Sequence, residues 1–155
     1  MIFYGTSAAE GIHSPFCDCP VCRNARKVGG REVRTRTMFR IDQAHCIDLG
    51  ADAYCQSLKY GYFVHLKHVL VTHTHEDHLA FMMFNIRNMA ISRDSEPLHY
   101  YLTDQAYDIV DFFVNNKPIL KGKMKAIIDE GIVAFHKLEF HQTYQIGNLT
   151  VTPLR

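Results

Sequence analysis

The sequence predicts an α/β fold built on a mixed sheet. Short strand-like runs alternate along the chain with longer segments of helical period, the pattern of a sheet covered by helices. One of these runs, Lys67 to Thr72, passes directly into a cluster of histidines before the next helical segment opens. The length of 155 residues is that of about one domain, and 47% hydrophobic with 21% charged residues is an ordinary globular composition.

From the N-terminus, residues 1–5 read as a short strand followed by a loop of small residues, Gly5-Thr-Ser-Ala-Ala-Glu-Gly11. A cysteine segment comes next, then a short basic helix that Gly29-Gly30 ends. Thr35 to Ile41 and Ala44 to Leu49 form a strand pair around the polar turn Asp42-Gln43. Ala51 to Tyr60 is a helix, Lys67 to Thr72 a buried-type strand, and Leu79 to Ile91 a well-buried helix. Pro97 to Leu102 is a strand. Thr103 then caps an amphipathic helix with Ala106, Ile109, Val110, Phe113 and Val114 on one face. The last forty or so residues read as β-structure, with a hairpin at Ile146-Gly-Asn-Leu149.

Several classes of protein are disfavoured. No apolar run approaches the ~20 residues that span a bilayer, so no membrane role is expected. The N-terminus lacks a charged region followed by a long apolar one, as a signal peptide requires. The five cysteines are an odd number, and three lie within Cys17-Asp-Cys19-Pro-Val-Cys22, closer than a disulfide framework favours. A cytoplasmic protein is expected. Net charge is +1, but Arg23, Arg26, Lys27, Arg31, Arg34, Arg36 and Arg40 share their window with one acid, Glu32. That stretch either draws a phosphate-bearing substrate by its field or is a solvated basic face. It lacks the aromatic interleaving of a single-stranded nucleic-acid platform, so nucleic acid is not an expected partner.

The chemistry concentrates in His73-Thr-His75-Glu-Asp77-His78. On an extended backbone His73 and His75 project from one face and can hold a divalent ion through two nitrogens. Asp77 and His78 follow where the chain turns into a helix and can point at a second ion. Two ions ~3.5–4 Å apart clamp the attacking and leaving oxygens of an in-line displacement. His13, His45, His65, His68, His99, His136 and His141 receive no role. The three thiolates of Cys17, Cys19 and Cys22 suit a structural zinc, whose tetrahedral shell needs a fourth ligand from elsewhere.

The histidine segment resembles the HxHxDH signature of the metallo-β-lactamase superfamily. Ile47-Asp48-Leu49-Gly50 matches the strand–Asp–x–Gly element that precedes it there, and the resemblance implies that Asp48 supports the histidine loop from behind the ligands. With the cysteine segment, the loop Gly5 to Ile12 and Arg34-Thr-Arg36-Thr37, the chain resembles one branch of the superfamily. That branch holds the phosphoribosyl 1,2-cyclic phosphate phosphodiesterase of phosphonate breakdown and its relatives.

The resemblance implies an αβ/βα sandwich of which this chain is the first half plus part of the second. Residues 1–155 would be a single incomplete domain, with a zinc-binding segment at 13–30. It further implies two divalent ions, zinc or manganese, at His73, His75, Asp77 and His78, and one structural zinc at the cysteines. A third histidine, a bridging aspartate and a final histidine normally follow the signature in this family, and this sequence reaches Arg155 before them. His136 and His141, read as lying in a strand ahead of the expected position, are weak substitutes. The expectation is a fragment that binds metal weakly and is inactive alone. In full form it would be a dinuclear phosphodiesterase acting on a small cyclic phosphodiester, with Asp77 in the catalytic centre. A tRNA-processing nuclease, a thioester or lactam hydrolase, and a non-catalytic zinc-binding protein remain alternative readings. Self-association as a homodimer is left open.

Overall fold

The computed structural model describes residues 1–116 and 118–155, with side chains described outside 117–122. A six-stranded sheet runs in the order β1 (Ile2–Gly5), β2 (Met38–Arg40), β3 (His45–Ile47), β4 (His68–Leu70), β5 (Leu98–Thr103), β6 (Val133–Leu138). The first three strands pair antiparallel and β3 to β6 pair parallel, so the sheet is mixed as predicted. Helices α1 (Pro20–Val28), α2 (Ala53–Tyr60), α3 (Met82–Met89), α4 (Asp104–Asn116) and α5 (Pro118–Asp129) fill the connections. A separate hairpin, β7 (Tyr144–Ile146) and β8 (Leu149–Val151), ends the chain.

Local chemistry explains most boundaries. Pro20 opens α1 with its fixed φ, Cys19 Sγ accepts from the Cys22 N–H, and Gly29 closes the helix at φ +67°. Alternation along β5 buries Leu98, Tyr100 and Leu102 under the helices and leaves His99, Tyr101 and Thr103 on the other face. Cys46, Val69 and Val133 join that helix-side core with Phe84, Val110 and Met124, and full burial of each large side chain contributes ~1.5–3 kcal/mol. Among the described residues no helix is long and apolar enough to cross a membrane.

Three expectations are corrected. The last forty residues are not all β, because α5 precedes β6 and packs on α4. The helix expected over Leu79 to Ile91 begins only at Met82, since the backbone of Leu79 and Ala80 is committed to Leu49. On α4, Ala106, Val110 and Val114 are buried at intervals of four, whereas Ile109 is 41% exposed and belongs to the helix flank. Pairing also trims the predicted strands, most of all Thr35 to Ile41, to three residues at β2.

The sheet face opposite the helices carries a row of histidines that the sequence analysis left without a role. His45, His68 and His99 occupy facing positions on β3, β4 and β5, and His136 lies opposite Tyr101 on β6. The rings of His45 and His68 stack at 4.6 Å, and those of His68 and His99 at 5.6 Å. His68 Nδ1 lies 3.1 Å from the Tyr101 hydroxyl and His99 Nδ1 2.8 Å from His136 Nε2. His45 Nδ1 meets the Asp42 carboxylate at 2.8 Å, and its Nε2 holds the hairpin through the Ile146 carbonyl at 3.1 Å. The hairpin turn needs Gly147, since at φ +57° a Cβ there would lie 2.5 Å from His45 Nε2.

Burial, with the neighbouring His45 and His99, pushes His68 down to about 4, and burial also lowers His99 and His136. These rings stay neutral when folded but charge in the unfolded chain near the ordinary value of 6.5. Their contribution to stability is therefore complete above pH 6.5 and is lost as pH falls below it, for His68 between 6.5 and about 4. The thermal unfolding midpoint is expected to drop between pH 7 and pH 5, with a shallower drop in His68→Asn. Equal slopes for the two proteins would overturn this account.

Candidate metal centre

The histidine loop hangs between two anchors. Beyond β3 the chain runs through Asp48 to Ala51, and beyond β4 it runs through Val71 to Ala80. Backbone bonds tie the two together: Leu49 N to His78 O at 2.8 Å, Ala80 N to Leu49 O at 3.2 Å, and Ala51 N to Glu76 O at 3.3 Å. Gly50 permits this approach, because a Cβ there would lie 1.9 Å from the Asp77 carbonyl oxygen and 2.4 Å from its carbon. The loop itself is a turn: His78 N and Leu79 N both donate to His75 O, and β4 ends at Leu70. His73 and His75 are thus not on the extended strand end that the sequence suggested.

Asp48 is 1% exposed and sits at φ +61°, a region that a non-glycine residue seldom occupies. That backbone turn aims its carboxylate back into the loop. Oδ1 accepts from Thr72 N at 2.8 Å, both oxygens accept from Thr72 Oγ1 at 2.9–3.0 Å, and Oδ2 lies 2.6 Å from His78 Nδ1. With Nδ1–H given to Asp48, His78 presents Nε2, which lies 3.1 Å from Asp77 Oδ2. A ring nitrogen and a carboxylate held that close call for a cation between them, a proton or a metal ion. The His73 ring centroid is 3.9 Å from that of His78 and 4.7 Å from that of His75. Burial first, then the adjacent His78 and His75, lowers His73, which favours the neutral ring that ligates metal. The imidazole and carboxylate donors fit a borderline divalent ion.

Cys17, Cys19 and Cys22 converge more tightly. Their sulfurs all lie within 4.8 Å of one another, and among the described residues they are the only trio of potential ligands so gathered. The Cys22 N–H, with the thiols of Cys17 and Cys22, lowers Cys19 to about 7. Asp18, between them in sequence, turns away to Arg23 and Arg26. Three soft donors so placed fit a tetrahedral zinc.

His136 and His141 do not join the loop. His136 pairs with His99 on the sheet face, and His141 lies in a turn at φ +65°, not in the strand assumed for it. Two residues of the site were missed. Thr72 bridges Asp48, His73 Nδ1 at 3.1 Å and His78 Nδ1 at 3.3 Å, and its place at the end of a strand before the first histidine was the available signal. Gly50 was singled out only as the end of the Asp–x–Gly element, and its close approach to Asp77 is a contact across 27 residues that no local pattern shows. Beside the loop lies a cleft of about 370 Å³ lined by Thr72, Tyr101, Thr103, Leu138 and residues Val151 to Leu154.

No protein-family model and no curated protein matches this sequence. Solved structures do match. Zn(2+)-bound PqqB from Methylobacterium extorquens has a TM-score of 0.70 at 18% identity, over 97% of this chain and 50% of that one. A diphosphatase of the PhnP family has a TM-score of 0.68 at 20% identity, over 96% of this chain and 53% of its own. The metallo-β-lactamase fold protein YhfI from Bacillus subtilis follows at 0.50 and 17%, over 77% of this chain and 46% of its own. The chain therefore has the metallo-β-lactamase fold. It spans about half the length of the structures it matches.

Proposed function

We propose that residues 1–155 form the metal-binding part of a metal-dependent hydrolase whose substrate is a small cyclic phosphodiester. The observation that carries this reading is the buried, backbone-strained Asp48, whose carboxylate meets Thr72 and His78 and turns His78 Nε2 towards Asp77. In this reading His73 and His75 hold one divalent ion, Asp77 and His78 a second, and Cys17, Cys19 and Cys22 a structural zinc. Zinc and manganese both accept the imidazole and carboxylate set. Bound there, such ions supply Lewis acidity at a phosphoryl oxygen and bring the pKa of a water towards neutrality. Asp48 fixes the tautomer of His78, Thr72 ties His73 to the same carboxylate, and Gly50 sets the position of Asp77.

The choice of phosphorus chemistry draws support from the likeness to the PhnP-family diphosphatase together with the cysteine trio. Two donors per ion leave each shell short, so the remaining ligands are assigned to polypeptide outside residues 1–155. Hydrolysis of bis-(p-nitrophenyl) phosphate by the native polypeptide that contains these residues is the test, beside its His75→Ala variant and the 155-residue chain. Activity in the native polypeptide alone, lost in the folded variant, is the expected result. A native polypeptide that carries zinc only at the cysteines and hydrolyses nothing would leave a non-catalytic zinc-binding protein in its place.

A further inference from the structure

The basic stretch Arg23 to Arg40 divides in the fold into spent and unspent charge. Arg23 and Arg26 pair with Asp18, and Arg36 pairs with Asp52 at 2.7 Å. Arg40 is 8% exposed and donates to the Asp42 and Gln43 carbonyls. Arg31 and Arg34 have no acidic partner among the described residues, and Glu32 between them is turned to Asn24 Nδ2 at 3.3 Å. Both arginines line one cleft of about 400 Å³, and Lys59 from the last turn of α2 lines it with them. Among the described residues no aspartate or glutamate contributes to its wall. Tyr60 and Phe3 supply aromatic edges there: the Tyr60 ring stacks on Tyr4 at 4.9 Å with Lys59 Nζ 5.0 Å above it, and Phe3 packs on Phe39 at 4.6 Å.

We propose that this cleft binds an organic phosphate bearing an aromatic ring, with the phosphate between Arg31, Arg34 and Lys59 and the ring against the exposed edges of Tyr60 and Phe3. Guanidinium groups match phosphate oxygens in pairs, and three cations without a counter-charge favour a ligand carrying more than one negative charge. The cavity is of small-molecule size, since such pockets run from about 300 to 1,000 Å³. It shares no lining residue with the histidine loop and does not depend on the metal chemistry proposed there. Exposed Cys55 stands in its wall and reports on occupancy.

ADP is the probe, with adenosine as the uncharged comparison. Saturable ADP binding is expected with Kd below about 1 mM at low salt, weakening as salt is added, while adenosine binds at least about tenfold more weakly. Arg31→Ala with Arg34→Ala should weaken ADP about tenfold or more, whereas Arg23→Ala should leave it unchanged. ADP should also slow alkylation of Cys55, read at the peptide level, in the parent chain and not in the double variant. These arginines are exposed, so the variants should keep the parent unfolding midpoint. Absence of saturable binding overturns the proposal. So does ADP binding that survives the double substitution, which would place the ligand at the histidine loop or elsewhere.

Discussion

In the native polypeptide, where we propose that the histidine loop holds metal, Gly50→Ala is expected to empty that loop and to destabilise the fold by about 3 kcal/mol, the upper range for forcing extra volume into a packed position. The added methyl group would overlap the carbonyl of Asp77, with backbone atoms at 1.9 and 2.4 Å, and no rotamer change relieves a clash with backbone. Relief requires the loop to part from residues 49–51, which breaks the Leu49–His78 and Ala51–Glu76 bonds and carries Asp77 and His78 away from Asp48. Gly29→Ala is the control for the metal readout: nothing lies within 4 Å of its Cβ, so only a backbone cost of about 1–3 kcal/mol remains, since φ +67° with ψ −152° is a region essentially confined to glycine. Metal content by mass spectrometry and thermal unfolding read both effects. A Gly50→Ala protein with parental metal content and midpoint would show that the loop does not depend on this approach.

Asp48→Ala should be nearly as damaging, for a different reason. It strands the Thr72 N–H, the Thr72 hydroxyl and His78 Nδ1 around a position that is 1% exposed, and each unmet group costs about 1–3 kcal/mol. Because that variant risks unfolding outright, Asp48→Asn is the sharper test. Asparagine tolerates the left-handed backbone and keeps an oxygen for Thr72 N. Its amide, however, donates where the carboxylate accepted, which drives His78 to carry its proton on Nε2. A folded Asp48→Asn chain is therefore expected to lose about 10–100-fold in affinity for zinc at the loop, the usual effect of removing a carboxylate behind a ligating histidine. Zinc titration with parental affinity would sink the assigned role of Asp48.

What could be read from the sequence was local. His73 to His78 and Cys17 to Cys22 stand out because the donors are neighbours in the chain, and the strand leading into the loop carries the apolar run Val69-Leu70-Val71. The helix α5 lies where the sequence is expected to be β-structure. In the fold Met124 and Ile127 are buried three residues apart, so the helix is settled by packing on α4 rather than by local pattern. The histidine row was invisible for the same reason. His45, His68, His99 and His136 are scattered singly over more than ninety residues and meet only through strand register. The division of the basic stretch likewise depends on Asp52, which comes from α2's entry and not from the stretch itself.

The order of the six strands across the sheet is the order in which they occur in the chain. No strand has to be inserted between two that are already paired, so the sheet can lengthen at one edge as a ribosome delivers each strand. Asp48 and His78, 30 residues apart, both emerge before β5. At about 5–20 residues per second that interval lasts a few seconds. A nascent chain can thus assemble the Asp48–Thr72–His78 unit, and expose it to metal ions, while the later strands are still being synthesised.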